Sequence, residues 1–286
     1  MNQRRSFLTL GAGALLAALV TPLAGAPAAR AAPAAELLPY WLRQDPQSRE
    51  TVDYGIWAAF LQRYLKSGAD GINRIDYRQA LEAKAGLAAH IGELAAVRVT
   101  GLTRDTQRAY WVNLYNALTV VTVMDHYPVD SIRDIDISGL FANGPWGAEL
   151  VQVEGIRLSL DDIEHRILRP IWRDPRLHYA VNCAAVGCPN LQPEPFAAER
   201  MEAQLEAAAR AFVNHPRGAR VEAGALTVSS LYDWYEADFG GSDRSVLAHL
   251  RHYAEPPLAR RLAGIERIAG HAYDWTLADT RLAARA

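Results

Sequence analysis

The two cysteines of the chain, Cys183 and Cys188, are the residues best suited to covalent chemistry. Residues 177–182 have the composition of a strand, and a loop of four residues separates the cysteines. A cysteine at a strand end, beside free backbone N–H groups, can be stabilised as a thiolate and can attack an electrophile. Three interpretations stay open: a nucleophile, a disulfide or structural thiol pair, and a metal site, although zinc ligands are more typically two residues apart.

Two histidines are candidates for the base that would serve Cys183. His165 follows Asp161 by four residues within the helical pattern of residues 159–168, and a carboxylate on the same helical face orients an imidazole and favours its protonated form. The alternative is a histidine on an exposed acidic helix. His178 lies in the predicted strand before Cys183, but strand alternation places the two side chains on opposite faces unless the strand bulges.

Asparagines within apolar elements form a third group. The pattern from Thr103 to His126 predicts a long helix with Thr103 as its N-cap, apolar nearly all round, and this helix contains Asn113 and Asn116. Asn182 ends the predicted strand before the cysteine loop. A buried amide needs hydrogen-bond partners, so each asparagine either pins an irregular loop or orients a catalytic group, as an orienting or oxyanion-binding amide.

The first 31 residues have the features of a twin-arginine signal peptide. Arg4-Arg5-Ser6-Phe7-Leu8 leads into an uncharged apolar run that ends at residue 23, and Ala29-Arg30-Ala31 is a small-x-small cleavage pattern. The run is shorter than the roughly 20 residues of a spanning helix, which disfavours a membrane anchor. We therefore expect the twin-arginine translocase as a partner during export, a periplasmic or secreted mature protein, and no stable membrane insertion.

Composition limits the further partners of the mature protein. The chain has 30 basic and 32 acidic residues, and loss of the leader removes three arginines and no acid, so the formal net charge changes from −2 to 27 − 32 = −5. A mildly acidic domain without basic clusters is poorly suited to nucleic acid or anionic lipid. Twin-arginine export of a folded protein is compatible with a bound cofactor, but the sequence leaves any cofactor unknown.

Helical periodicity alternates with short hairpin signals in the rest of the chain. Further helices are predicted over residues 53–66, 77–97, 159–168, 199–213, 230–238, 245–253 and 257–262, and turns at Glu154-Gly155 and Gly224 predict two β-hairpins. This mixture predicts an α+β fold, a single compact domain with a buried central helix and short antiparallel hairpins. We divide the chain into a leader (1–31), a loosely packed N-terminal segment (32–52) and one domain (53–286).

Five motifs, in order over residues 105–278, carry a family resemblance. They are Tyr110 to Leu118, Ser159 to Arg169, Asp174 to Cys183 with Cys188-Pro189, Ser230 to Phe239, and Tyr273 to Leu277. This set resembles the domain-of-unknown-function family 547, although Ala278 stands where the closing motif usually has Asn. The resemblance implies no settled activity. It directs attention to the polar residues that the motifs keep within apolar elements: Asn113, Asn116, Glu164, His165, His178, Asn182, Cys183 and Cys188.

The mixture of Cys, His and Asn is similar, by analogy only, to papain-like and transglutaminase-like hydrolases. The leading hypothesis is a hydrolase or acyl transferase that acts on peptide-like or cell-envelope amides, with Cys183 as nucleophile and His165 or His178 as base. One alternative is a non-catalytic periplasmic binding or assembly protein with a structural Cys183–Cys188 disulfide. Another is a metal-binding protein that uses both cysteines and a histidine.

Overall fold

A long helix, α4 (Arg104–His126), is the spine of the structure, a computed structural model that describes residues 33–139 and 144–285. Its N-terminus is capped as predicted, because the Thr103 side chain accepts a hydrogen bond from the backbone N–H of Thr106. Side chains on every face of the helix are buried from Gln107 to Met124, apart from half-buried Val121. The prediction of a buried central helix is therefore confirmed. The leader predicted for residues 1–31 lies outside the described residues.

The elements before α4 pack along it and against the neighbouring core, since Lys84 pairs with Asp125 near its C-terminus and the carbonyl of Leu94 accepts from Tyr110 near its N-terminus. They are α1 (Gly55–Tyr64), β1 (Leu65–Ser67), β2 (Asn73–Ile75), α2 (Tyr77–Ala80) and α3 (Lys84–Ala95). The sequence predicts one helix over residues 77–97, but a 3-10 turn, Leu81–Ala83, separates α2 from α3. The N-terminal segment, for which the sequence predicts loose packing, contributes Trp41 to the core, where its ring meets Trp111 of α4 edge to face at 4.8 Å.

The elements after α4 include the two predicted hairpins. They are β3 (Val151–Val153), β4 (Ile156–Leu158), α5 (Arg169–Trp172), α6 (Met201–Val213), β5 (Ala219–Glu222), β6 (Ala225–Ser229), α7 (Leu231–Trp234), α8 (Asp243–Tyr253), α9 (Pro256–Leu262) and β7 (Gly270–Ala272). Strands β3–β4 and β5–β6 pair antiparallel, as do β1 and β2. Strand β7 joins β6 in parallel, which brings the end of the chain beside the second hairpin. Helices with short, mainly antiparallel sheets confirm the α+β class.

The segment predicted as a helix over residues 159–168 begins as the sequence indicates but then widens. The Ser159 side chain accepts from the Asp162 N–H at 3.0 Å, and the Asp162 carboxylate accepts from the Ser159 N–H at 2.9 Å, which is a reciprocal capping arrangement. Residues Asp162–Leu168 then form a π-helical turn, in which the N–H of Arg169 reaches the carbonyl of Glu164 five residues back. Such turns are rare and occur often at functional sites.

The strand predicted for residues 177–182 is wrong. Residues Pro175–Tyr179 form a 3-10 helix, because Asp174 caps it through the Arg176 N–H and Pro175 occupies its first turn. The alternation that would separate His178 from Cys183 therefore does not apply. The short helix lies where two clusters of core residues meet, since Leu177 belongs to the main cluster around α4 and Tyr179 to the smaller one around α6 and α8.

The described residues lie within a single compact unit, Ala31–Ala286. Among residues 33–139 and 144–285, no helix combines the length and the apolar character that a membrane crossing needs.

The capping pair that begins the π-helical turn gives a first prediction. Ser159→Ala removes a side-chain oxygen that accepts from the Asp162 N–H, so we expect the free energy of unfolding to fall by about 1 kcal/mol. Urea denaturation followed by circular dichroism measures it. Ser48→Ala is the control, because Ser48 bonds only locally, to the Glu50 N–H, and its loss should cost less than about 0.5 kcal/mol. Equal stability of the two variants would show that the capping pair does not hold the turn.

Candidate active site

The cysteine pair forms the first part of the site. Both residues are free thiols, with Cys183 half-buried and Cys188 buried. Their sulfur atoms lie 3.1 Å apart, and the Cys183 sulfur is also 3.1 Å from the hydroxyl oxygen of Tyr273. The backbone N–H of Cys183 donates to the Cys188 sulfur at 3.0 Å. The two sulfurs are therefore neighbours, and a tyrosine from the far end of the chain completes the group.

The two thiols differ in acidity. The hydrogen bond with Cys188 lowers the pKa of Cys183; burial opposes this, while bonds from Tyr273 and the Ala185 N–H reinforce it. Burial raises the pKa of Cys188 well above its usual range, and the bond with Cys183 raises it further. Burial likewise raises the pKa of Tyr273, so its hydroxyl stays protonated. Cys183 is therefore the more readily ionised thiol of the pair, because hydrogen bonds from Cys188 and Tyr273 favour its thiolate form.

The loop between the cysteines is held by the side chain of Asn182. Its Nδ2 donates to the carbonyl of Pro189 at 2.7 Å, and its Oδ1 accepts from the N–H of Ala184 at 2.8 Å. These bonds span the loop from one end to the other. Ala184 has φ of +62°, a left-handed conformation that costs a residue with a Cβ free energy and persists where the surroundings enforce it.

A close backbone approach delivers Tyr273 to the sulfurs. The N–H of Gly187 donates to the carbonyl of Asp274 at 2.8 Å, which docks the cysteine loop on the segment after β7. A Cβ at position 187 would lie 2.7 Å from the backbone nitrogen of Asp274 and 3.0 Å from the Tyr273 ring. Only glycine allows this contact without a backbone shift. The spacing of the hydroxyl from Cys183 therefore depends on Gly187.

The asparagines of α4 bond to backbone groups rather than to the cysteines. Asn116 accepts from the N–H of Asn182 at 2.8 Å and donates to the carbonyl of Ala180 at 2.9 Å. Asn113 makes the equivalent pair of bonds, at 2.9 and 2.8 Å, with the N–H and carbonyl of Phe196. These are the contacts of loop-pinning residues. Asn116 fixes the backbone immediately before Cys183, so it contributes to the site by position.

A buried ionic network forms the second part of the site, and His178 is at its centre. The Nε2 atom of His178 lies 2.7 Å from a carboxylate oxygen of Asp238, and its Nδ1 atom lies 3.6 Å from Glu164. The ring of Tyr235 stacks on the imidazole with 4.0 Å between centroids. Both ring nitrogens thus face carboxylates, an arrangement that favours the imidazolium form.

Arg169 connects this histidine to the other one. Its guanidinium makes two bonds to Asp238, at 2.6 and 3.2 Å, and lies 3.1 Å from Nδ1 of His165. The Nε2 atom of His165 lies 3.4 Å from Asp161. Arg169 also donates to the carbonyl of Pro33 at 2.7 Å, which ties the N-terminal segment to the site.

Mutual stabilisation of charge sets the acidity of these groups. Burial alone would raise the pKa of Glu164, but His165, His178 and Arg169 together lower it to about 2. Burial alone would lower the pKa of His178, but its bonds to Asp238 and Glu164 raise it above the usual value. The pKa of Asp238 is likewise held far below its usual range, against burial, by His178 and Arg169. At neutral pH the network therefore contains two carboxylates and a guanidinium, and the two carboxylates favour the charged form of His178.

The structure places the sequence-predicted site residues in these two parts. Cys183, Cys188 and Asn182 lie in the cysteine loop, while Glu164, His165 and His178 lie in the ionic network. Within the described residues neither histidine hydrogen-bonds to the Cys183 sulfur. The two parts nevertheless interact through charge, because the Glu164 carboxylate raises the pKa of Cys183.

Sequence reasoning missed several residues of the site. They are Arg169, Tyr235, Asp238 and Tyr273. Each of them lies inside a motif that carries the family resemblance. A polar or phenolic side chain within an otherwise apolar motif was the sequence signal that could have identified them. Their partners are 60 or more residues away in three of the closest pairings: His178–Asp238, Arg169–Asp238 and Cys183–Tyr273.

The residues that the structure describes include no candidate metal centre, and a surface groove lies away from the site. In the part of the chain that the structure describes, no group of three or more His, Cys, Asp or Glu side chains is arranged to hold a metal ion. A surface groove of about 480 Å³ is lined by residues of α9 and by residues near β5, among them Arg220, Pro257 and Arg261, and by none of the site residues.

These observations define an α+β domain with two neighbouring thiols, half-buried Cys183 and buried Cys188, and a buried Glu–His–Asp–Arg network. Residues 99–213 match the family model described as "Protein of unknown function, DUF547", which supports the resemblance seen in the motifs. The matched segment contains α4, the π-helical turn and the cysteine loop. No curated protein and no solved structure matches the chain, so the comparison with papain-like and transglutaminase-like hydrolases stays an analogy.

The acidity of Glu164 predicts how stability depends on pH. A carboxyl group whose pKa is lowered on folding stabilises the protein fully above its unfolded pKa, and the contribution is lost as pH falls towards the folded pKa. For Glu164 this range extends from its ordinary value of 4.5 down to about 2. Wild type should therefore exceed Glu164→Gln in stability near neutral pH by on the order of 3 kcal/mol, and the difference should shrink below about pH 4.5.

Urea denaturation at a series of pH values measures this difference. Glu194→Gln is the matched control, because Glu194 forms an exposed ion pair with Arg200 and should change stability by less than about 1 kcal/mol. The assignment of Glu164 as an ionised buried group would be refuted by a stability difference that does not change between neutral and acidic pH.

Proposed function

We propose that the protein is a thiol-dependent enzyme whose nucleophile is the Cys183 thiolate. The observation that carries this proposal is the geometry at its sulfur, which is half-buried and lies 3.1 Å from both the Tyr273 hydroxyl and the Cys188 sulfur. Hydrogen-bond donors stabilise a thiolate, and the thiolate rather than the thiol is the nucleophilic form. A free cysteine that only fills space in an apolar core packs as a small hydrophobic residue and does not require such hydrogen-bond donors around its sulfur.

In this proposal the histidines position and balance charge, and they are not the base. Each ring nitrogen of His178 faces a carboxylate, and an imidazolium held in this way has no lone pair to accept the Cys183 proton. Cys183 needs no separate base for its attack if it is already ionised. Glu164, His165 and His178 would then hold the π-helical turn and the 3-10 helix at fixed positions beside the cysteine loop.

The acyl-transfer chemistry predicted from the sequence remains a hypothesis for this thiolate. It requires N–H donors for the oxyanion of a tetrahedral intermediate. Backbone N–H groups of the loop already have acceptors: Cys183 the Cys188 sulfur, Ala184 the Asn182 side chain, Val186 and Gly187 the carbonyls of Thr276 and Asp274. A peptide-like or cell-envelope amide would therefore need donors from another segment, and a Cys183-dependent burst with an activated acyl ester would support this chemistry.

The reactivity of Cys183 tests the nucleophile directly. We expect the alkylation rate of Cys183 by iodoacetamide to reach half its maximum at a lower pH than that of an unperturbed cysteine, since the pKa of Cys183 is lowered. Tyr273→Phe removes one donor, so the midpoint should move to higher pH and the rate at neutral pH should fall about three- to tenfold. Mass spectrometry of digested protein assigns the modified residue, and Cys183→Ser should abolish the fast phase.

Tyr64→Phe is the matched control for this experiment. Tyr64 is also a buried tyrosine, but its hydroxyl donates to Glu82 instead of a sulfur atom, so its loss should leave the alkylation midpoint unchanged. If wild-type Cys183 reacts no faster than denatured protein at neutral pH, the residue is not an activated nucleophile. The non-catalytic alternative, a binding or assembly protein, would then be favoured.

We further infer from the sequence that the twin-arginine translocase exports this protein to the periplasm or the medium. Arg4 and Arg5 form the pair that this route requires. Replacement of both by Lys should retain the unprocessed form inside the cell, as measured by fractionation and immunoblotting. A variant with Arg30→Lys keeps the arginine pair and should be exported normally. Export of the Lys-Lys variant at the wild-type level would exclude the twin-arginine route.

A further inference from the structure

The asymmetry of the cysteine pair is greater than an isolated nucleophile requires. Cys183 is half-buried, whereas Cys188 is buried directly behind it with its sulfur 3.1 Å from the Cys183 sulfur. The backbone N–H of Cys183 donates to the Cys188 sulfur, and this hydrogen bond holds the Cys188 side chain in place beside Cys183. A structural thiol pair has no need of one partly exposed member and a second, buried member held within about 1 Å of bonding distance to it.

We propose that Cys183 and Cys188 are the attacking and resolving thiols of a thiol–disulfide exchange reaction whose substrate is a disulfide. This inference rests on the proposed role of Cys183 as nucleophile and names the electrophile that it attacks. The loop geometry supports this inference. The N–H groups of Cys183, Ala184, Val186 and Gly187 already have acceptors and so are not free to form an oxyanion site. Thiol–disulfide exchange needs neither an oxyanion site nor a general base.

The reaction proceeds in two steps that balance without an additional reagent. The Cys183 thiolate attacks one sulfur of R–S–S–R, forming a mixed disulfide with RS⁻ as leaving group, which takes a proton from solvent. Cys188 loses its proton to solvent and attacks the Cys183 sulfur, expelling the second RS⁻, which is also protonated. The protein dithiol has lost two electrons and two protons, one proton from the ionisation of Cys183 and one from Cys188, and the substrate has gained both to become two thiols. The reverse steps, with thiols as the reductant, regenerate the dithiol.

Cys188 becomes more nucleophilic when it is needed. Before the reaction, while both cysteines are reduced, a thiolate at Cys183 raises the pKa of Cys188 and so opposes its ionisation. Formation of the mixed disulfide removes that charge, while the N–H of Cys183 still donates to the Cys188 sulfur and the Tyr273 hydroxyl, freed from the thiolate, also favours its ionised form. Arg217 donates a hydrogen bond to the carbonyl of Val186 in the same loop. Its positive charge and a Cys188 thiolate attract each other, so Arg217 also favours ionisation of Cys188.

The loop holds the two sulfurs together throughout the cycle. The side chain of Asn182 closes the loop from Ala184 to Pro189, and the N–H of Cys188 donates to the carbonyl of Ala185 at 3.0 Å. The folded loop already brings the two sulfurs to 3.1 Å, so formation of a Cys183–Cys188 disulfide needs a further approach of about 1 Å.

Oxidised glutathione is the probe for the first experiment. Full-length mature protein is reduced, desalted, mixed with oxidised glutathione at neutral pH, quenched in acid and analysed by intact mass spectrometry. Wild type should lose two hydrogens and carry no glutathione, with two glutathione thiols released for each protein. Cys188→Ser should accumulate a stable mixed disulfide on Cys183. Cys183→Ser should react at least about tenfold more slowly, because the remaining thiol is buried.

The variants must be folded for this comparison, so circular dichroism and urea denaturation are measured on each. Wild type that accumulates the glutathione adduct as Cys188→Ser does would overturn the resolving role while leaving fast alkylation of Cys183, and with it the proposed nucleophile, intact. Slow alkylation of Cys183 would instead remove the nucleophile and this inference together. Replacement of oxidised glutathione by a disulfide-bonded protein, such as insulin, shows whether the substrate is a small or a protein disulfide; failure with both would exclude the reaction.

Discussion

The burial of α4 is the constraint on which the rest of the structure depends. On a helix with side chains buried on every face, a polar group without a hydrogen-bond partner costs free energy, because water does not reach it. Asn113 and Asn116 meet this requirement by bonding to the backbone of Phe196 and of Ala180 and Asn182. Each amide supplies one donor and one acceptor to a loop that lacks regular structure of its own. The loop that bears Cys183 is thereby fixed in position by the core.

The ionic network meets a second requirement, the compensation of buried charge. A carboxylate removed from water costs several kcal/mol unless opposite charges and hydrogen bonds compensate it. Glu164 receives this compensation from residues on its own turn and from His178, and Asp238 receives it from Arg169 and His178. The network joins the π-helical turn, the 3-10 helix Pro175–Tyr179 and the 3-10 helix Glu236–Phe239, so three short elements that have few hydrogen bonds of their own hold one another in place.

The sequence allowed the regular elements to be predicted better than the site. Periodicity and caps located α4 with Thr103 as its N-cap, the start of the turn at Ser159 and both hairpins, because these features depend on neighbouring residues. The sequence predicts a strand where the structure has the 3-10 helix before Cys183, because its apolar residues suit either structure. The Asp174 cap, Pro175 and the contact of His178 with Asp238 favour the helix. Tyr273 and Asp238 could be placed only by contacts across the whole chain, as with β7, which joins β6 from the C-terminal end.

The acidity of Cys183 results from opposing influences, and their balance connects the fold to the chemistry. Glu164 acts on the thiol through charge and raises its pKa, whereas Cys188, Tyr273 and the Ala185 N–H act through direct hydrogen bonds and lower it. Direct bonds prevail only while the donors stay at hydrogen-bond distance, because their effect falls steeply with separation. Tyr273 stays there because Gly187 lets the last segment of the chain pack against the cysteine loop. The hydrogen bond from Tyr273 to Cys183 therefore forms only when the C-terminal segment has docked, so the completed fold contributes to the lowered pKa of Cys183.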